Sequence, residues 1–281
     1  MKPLLKRLFA AAALWLPFGS LPTASAQSAW LPAEGRLEIT PRYVYQSFDE
    51  FWIRRDQRMK LPDDVEQHTG TISAEYGINQ SWALDATVGY TRVETAAFGA
   101  STKDDGLADS RFGVRYRALD ERAHASAWMP TITLRAGAIV AGTYDEGQPF
   151  SAGDGAHGGE FSVLLGKAFG DTGFGLYGEA GYRLRENPVP DDFFGSIGVY
   201  KTLGSFTVNA GYRHIQSLSG VNIMDPGFTF PTLKEINQLF EAGLGYQDKG
   251  GRFYQVFGAF PMYGRNTGDK IILGVSATFG F

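Results

Sequence analysis

Charged residues recur at two-residue spacing inside apolar stretches of this chain. Asp109, Arg111, Arg115 and Arg117 alternate with Phe112, Val114 and Tyr116, and Glu179, Arg183 and Arg185 alternate with Leu176, Ala180, Tyr182 and Leu184. A period of two puts each set on its own face of a β-strand. Ten charged residues fall on such a shared face: Glu75, Asp85, Arg111, Arg115, Arg117, Arg135, Glu179, Arg183, Arg213 and Glu241. Two kinds of chemistry suit them. Opposite charges on adjacent strands brace one another, or fixed charges along a wet conduit select solutes. An unpaired charge in a dry, narrow interior would cost too much.

Catalytic sets are sparse by comparison. Parity points His68 and His214 outward near strand ends, and His124 and His157 fall in connections. None has the Ser and acid partners of a triad. Gly173–Gly178 reads GFGLYG, but a dinucleotide site needs that pattern at a strand-to-helix turn, and here it lies within an alternating strand. Asn79-Gln80-Ser81 reads as turn chemistry. With no cysteine there are no disulfides and no thiolate chemistry. No cofactor, metal site or enzymatic activity is expected.

Twelve alternating segments of bilayer-crossing length carry these residues. The alternation predicts strands near 36–47, 65–76, 82–93, 107–118, 130–141, 159–168, 173–185, 192–202, 206–216, 235–247, 252–262 and 271–281. Connections alternate between short turns (GINQS, FGDT, LGS, DKGG) and longer loops (roughly 48–64, 94–106, 142–158 and 217–234). The connections after the fourth and seventh segments depart from that rule. Apolar faces carry their rings toward strand ends, as in Tyr43, Tyr76, Trp82, Tyr90, Tyr116, Phe174, Tyr246 and Tyr254, with aliphatic middles. Two aromatic girdles around an aliphatic band mark a membrane barrel rather than a soluble sandwich. The predicted fold is all-β: a closed 12-stranded antiparallel transmembrane β-barrel with short periplasmic turns and longer extracellular loops.

The ends and the charge agree with this. Lys2, Lys6 and Arg7 precede LFAAAALWL and the small-x-small site Ala24-Ser25-Ala26, which reads as a secretory signal peptide over 1–26 before a barrel over 27–281. Without those residues 23 cations face 30 anions, a net −7, which argues against nucleic-acid binding. No mature stretch of 18 apolar residues exists to form a membrane helix. The last strand ends on Phe281, which resembles the signal read by outer-membrane barrel assembly machinery. Parity says nothing about whether Gln27–Gly35 enters the barrel.

Inward glycines at 89, 113, 137, 166, 181, 198, 211, 243 and 245 favour open space inside. Antiparallel counting places Asp85 near Arg115, Gly89 near Arg111, Glu75 in the layer of Ala83 and Arg117, and Arg213 near Glu241. Two loops are apolar enough to gather a hydrophobic solute. Phe51, Trp52 and Ile53 belong to the first, and Phe228 and Phe230 to the one after the ninth strand. Cations of the first loop would also suit lipopolysaccharide phosphates.

Two stretches carry a family resemblance. AEYGINQSWALDATVGYTRVE, residues 74–94, resembles the strand–turn–strand unit of a family of outer-membrane proteins named for the meta-pathway of phenol degradation. GLADSRFGVRYRAL, residues 106–119, resembles that family's next, glycine-led strand, with departures at Ala108, Ser110 and Arg111. The resemblance implies a 12-stranded channel taking up small hydrophobic or aromatic molecules. The expectation is therefore a monomeric passive channel in the outer membrane of a Gram-negative bacterium. Its partners would be lipid, lipopolysaccharide, the assembly machinery and a small-molecule solute. The alternatives are a plugged structural or adhesive barrel, or a lipid-modifying barrel enzyme.

Overall fold

The computed structural model describes residues 28–54, 57–96, 102–123, 128–146, 151, 153, 155–223 and 225–281. The expected signal peptide, Gln27 and His124 lie outside the described residues. Twelve strands follow in order: β1 Leu37–Trp52, β2 Arg58–Gly77, β3 Trp82–Thr95, and β4 in two pieces, Thr102–Leu107 and Ser110–Leu119. Then come β5 Thr131–Val140, β6 Gly158–Ala168, β7 Phe174–Arg185, β8 Asp192–Leu203, β9 Phe206–Ser217, β10 Ile236–Gln247, β11 Phe253–Arg265 and β12, in the pieces Thr267–Gly268 and Ile271–Gly280. Each strand pairs antiparallel with its sequence neighbours. β1 also pairs with β12, Tyr43 opposite Val275, so the sheet closes and has no edge.

The pleat turns this sheet inside out relative to a soluble β-protein. Ile197 is 64% exposed and Phe161 53%, while inward Arg115 is fully buried and Glu160 is 3% exposed. Outward Trp82, Leu84, Val88 and Tyr90 alternate along β3 with buried Ala83, Asp85 and Thr91. An apolar outer band around a polar interior suits hydrocarbon, where each backbone group must be satisfied within the sheet. Among the described residues no helix is long and apolar enough to cross a membrane.

β1 and β2 are longer than the alternation predicts. The expected loop over 48–64 is mostly strand: Phe51 pairs with Met59 and Trp52 with Arg58, leaving a connection of 53–57. A small apolar cluster of Phe48, Leu61, Val65 and Val93 holds this extension upright beyond the apolar band. The turn after β2 is built as its residues predict, since Asn79 Oδ1 accepts the Ser81 and Trp82 amides at 2.8 and 3.0 Å. The GFGLYG stretch runs from a left-handed Gly173 into β7 and opens no helix, so it has no phosphate-binding geometry.

Candidate functional site

The interior has two unlike walls. On the first, from β2 to β8, inward charges interlock. Arg135 donates from Nε at 3.1 Å and Nη2 at 2.7 Å to Asp85, and from Nη1 at 2.5 Å to Glu160. Glu160 also accepts from Arg183 Nε at 2.6 Å, and Arg183 Nη1 reaches Asp192 at 3.1 Å. Arg115 bonds Glu75 and stands 3.7 Å from Asp85. Arg111 stands 3.7 Å from Glu160, and Arg185 meets Asp109 at 3.1 Å. Arg135, Asp85, Glu160 and Arg183 each meet an opposite charge at hydrogen-bond distance, the condition for keeping a buried charge ionised.

Parity places the predicted charges correctly, but the register moves several partners by two residues. Asp85 lies 3.7 Å from Arg115, as expected, although in the backbone register Ala83 opposes Arg115 and Asp85 opposes Gly113. Glu75 opposes Asp85 rather than Ala83, and Gly89 lies opposite Thr71, away from Arg111. A two-residue slip keeps every side chain on its face while changing its neighbour. Arg117 leaves the lumen wall to bind Asp120 at 3.1 Å and the Gln80 carbonyl in the turns. Glu179 points inward from β7 without an ion pair among the described residues, facing Arg135 and Arg183 at longer range. Arg213 and Glu241 pair at 2.7 Å on the other side of the barrel.

Glu160, the hub of this wall, is absent from the predicted set. Its inward parity follows from outward Phe161 in the predicted strand 159–168. His157 Nδ1 accepts the Ala141 amide at 3.2 Å. His68 and His214 face outward beside Tyr43 and Tyr212.

Residues 28–35 fold into the lumen end that carries the short turns. Thr133 Oγ1 donates to the Ala29 carbonyl at 2.6 Å, and Arg115 Nη1 to the Ser28 carbonyl at 3.3 Å. Trp30 Nε1 donates to Glu121 at 2.9 Å, and its ring meets Tyr200 edge-on with centroids 6.1 Å apart. Lys167 also binds Glu121, at 3.2 Å. The N-terminal segment thus covers the interlocked wall at that end.

The inward glycines do not open space. A Cβ on Gly166 would lie 2.7 Å from the Trp30 ring, and one on Gly113 2.7 Å from the Arg135 guanidinium and the Asp85 carboxylate. Gly113, Gly166, Gly181, Gly198 and Gly245 are seats for large side chains, filled rather than vacant.

The opposite end holds a cavity of about 250 Å³, room for about eight water molecules. Phe48, Phe51, Val65, Phe230 and Leu233 supply apolar wall, while Gln67, Arg183, Asp192 and Lys270 supply polar groups. Of the five capture residues, Phe51 and Phe230 line it. Trp52 is buried at the end of β1 against Tyr263 and Arg58, Ile53 follows in the connection, and Phe228 packs edge-on to Phe230 at 5.0 Å. Phe51 and Trp52 are therefore anchored strand residues, not a free loop. The loop after β9 is clasped over this mouth: Asn222 Oδ1 accepts from Arg265 at 2.9 and 2.6 Å, and Asn222 Nδ2 donates to Asp225 at 2.8 Å. Hydrogen bonds from Asn222, side chain first and then backbone, hold the Asp225 carboxyl below the usual carboxylate range.

Solved structures share this architecture. The COG4313 outer membrane channel from Pseudomonas putida F1 superposes with a TM-score of 0.73 at 10% identity, over 92% of this chain and 100% of that one. The translocator domain of the autotransporter NalP from Neisseria meningitidis gives 0.52 at 14% identity, over 99% and 94% of the two chains. The beta domain of the Bordetella autotransporter BrkA gives 0.51 at 12%, over 88% and 100%. At these identities the likeness is one of fold. No protein-family model matches the chain, and no curated protein matches it significantly.

Proposed function

We propose that the chain is a channel of the Gram-negative outer membrane that admits small, compact molecules with an apolar or aromatic body. The observation that carries this is the outer cavity, whose size and mixed lining suit one ring-sized solute. The outward apolar band supports a place in the bilayer, and the match to the full length of a solved outer membrane channel supports a conduit. Removal of residues 1–26, contact with lipopolysaccharide and delivery by the assembly machinery through Phe281 belong to the same proposal, as does membership in the phenol meta-pathway family.

Solute would enter from the clasped mouth, rest against Phe51 and Phe230, and descend past the charged interior. The plugged-barrel reading has one observation of its own, the segment 28–35 packed in the lumen. Uptake separates the two. In a porin-depleted Gram-negative host, expression should raise the initial uptake of a labelled single-ring aromatic compound and leave that of a disaccharide at background. Phe51→Ser with Phe230→Ser should reduce uptake most at low solute concentration. Equal uptake of both compounds, or of neither, would refute the proposed channel.

A further inference from the structure

The second wall of the lumen, formed by β9 to β12 with β1 and the start of β2, holds its charges differently. Its inward side chains include a run of hydroxyls that pair with one another: Thr40 with Thr278 at 2.9 Å and, continuing onto β2 and β3, Ser73 with Thr87 at 2.9 Å. All four are partly exposed within the barrel. Thr131 and Thr133, at the end covered by the N-terminal segment, are fully buried, and so is Thr207 of β9. Water therefore has a strip of lumen beside the hydroxyl-bearing strands, away from the N-terminal segment.

The charges bordering this strip are unequal in exposure. The Arg111 side chain is 41% exposed while its acid partner Glu160 is 4% exposed. The Arg213 side chain is 28% exposed and Glu241 13%. Arg42 points inward from β1 and is partly exposed. It lies over the Phe257 ring at 5.5 Å and has no ion pair among the described residues, although Arg213 and Glu241 face it. At Arg111 and Arg213 the guanidinium is the more exposed partner. Toward the short turns the order reverses, with Glu75 28% exposed and its partner Arg115 buried, so the positive stretch is the one that holds Arg42, Arg111 and Arg213.

We propose that Arg42, Arg111 and Arg213 form an anion-reading set, and that the transported solutes are small organic carboxylates. The cavity above would hold the ring or alkyl body, and the guanidiniums would hold the carboxylate, for which their planar donor pairs are shaped. This rests on the channel reading given above. Arg42 is not among the ten charges selected from alternation.

The intact chain in planar bilayers under a potassium chloride gradient tests the set. The native channel should prefer chloride. A unit charge about 7 Å from the ion's path in bulk-like water changes local ion concentration about threefold. Chloride falls and potassium rises by that factor, so Arg42→Gln and Arg111→Gln should each lower the chloride-to-potassium permeability ratio about sevenfold, and Arg42→Glu should lower it further. Benzoate should reduce the chloride current, and benzyl alcohol, the same ring without charge, should not.

The absence of cysteine provides a test that leaves all three arginines in place. Ser276→Cys, opposite Arg42 in the register, should react faster with a negatively charged methanethiosulfonate than with a positively charged one. Potassium preference in the native channel, equal block by both aromatic compounds, or equal thiol rates would overturn the anion set. Chloride preference without uptake of any single-ring compound would instead keep the set and sink the uptake function.

Discussion

Removing Arg135 tests how dry the interlocked wall is. Its side chain is 1% exposed and joins Asp85 to Glu160 through Nε, Nη1 and Nη2. In Arg135→Met, Asp85 would lose its closest cation and keep Arg115 at 3.7 Å, whereas Glu160 would keep Arg183 at 2.6 Å and Arg111 at 3.7 Å. Breaking a buried pair by deleting one partner costs about 3–5 kcal/mol. The surviving partners put this case near the low end, about 3 kcal/mol, or about two orders of magnitude in the folding equilibrium. Adding Asp85→Asn should recover part of the loss by removing a buried charge that has lost its closest partner. Arg213→Met, whose pair is partly solvated, should cost about 1 kcal/mol or less. Equilibrium urea unfolding of the refolded barrel in lipid vesicles, followed by tryptophan fluorescence, measures all of these. A loss for Arg135→Met no larger than that for Arg213→Met would mean that water already solvates the wall, and the argument from pairing would fail.

Further outcomes follow from two particular contacts. Alanine at Gly175 would put a methyl 2.1 Å from the Tyr200 ring. Gly175→Ala should cost about 1–3 kcal/mol by overpacking, and Tyr200→Leu should relieve that cost in the double variant, both read by the same unfolding assay. Asp225, with its pKa held low by Asn222, stabilises the loop clasp fully above the ordinary carboxylate range and loses that contribution as pH falls through the depressed value. Amide exchange at Asn222, whose N–H donates to Asp225 at 3.1 Å, should therefore quicken on acidification after correction for intrinsic rates. In Asp225→Asn it should be fast at neutral pH with no such step, and an acid-indifferent native loop would contradict the clasp.

Strand parity made much of this molecule legible. Alternation along 82–93 and 110–118 fixes which side chains face in, since a period of two admits only two answers. Partnership was harder to read, because it depends on register, and register depends on where long connections end. The bulge at Ala108–Asp109, between the two pieces of β4, and the extension of β1 and β2 beyond the apolar band both escape local pattern. The glycines misled for a related reason: a missing Cβ looks like space until the ring across the strand is known. Trp30 and the segment around it carry no periodicity, so nothing in their sequence announces that Thr133, Gly166 and Glu121 receive them. Arg42 was missed because exposure inside a lumen is a property of the closed barrel and not of any one strand.

Single-channel current across a planar bilayer tests the central claim, a narrow conduit left open on one side of a lumen that the N-terminal segment fills on the other. The native chain should carry a small, steady current, and Trp30→Ala, which frees the segment from Glu121 and Tyr200, should enlarge it. No current in either protein, or a large current unchanged by the substitution, would contradict that claim.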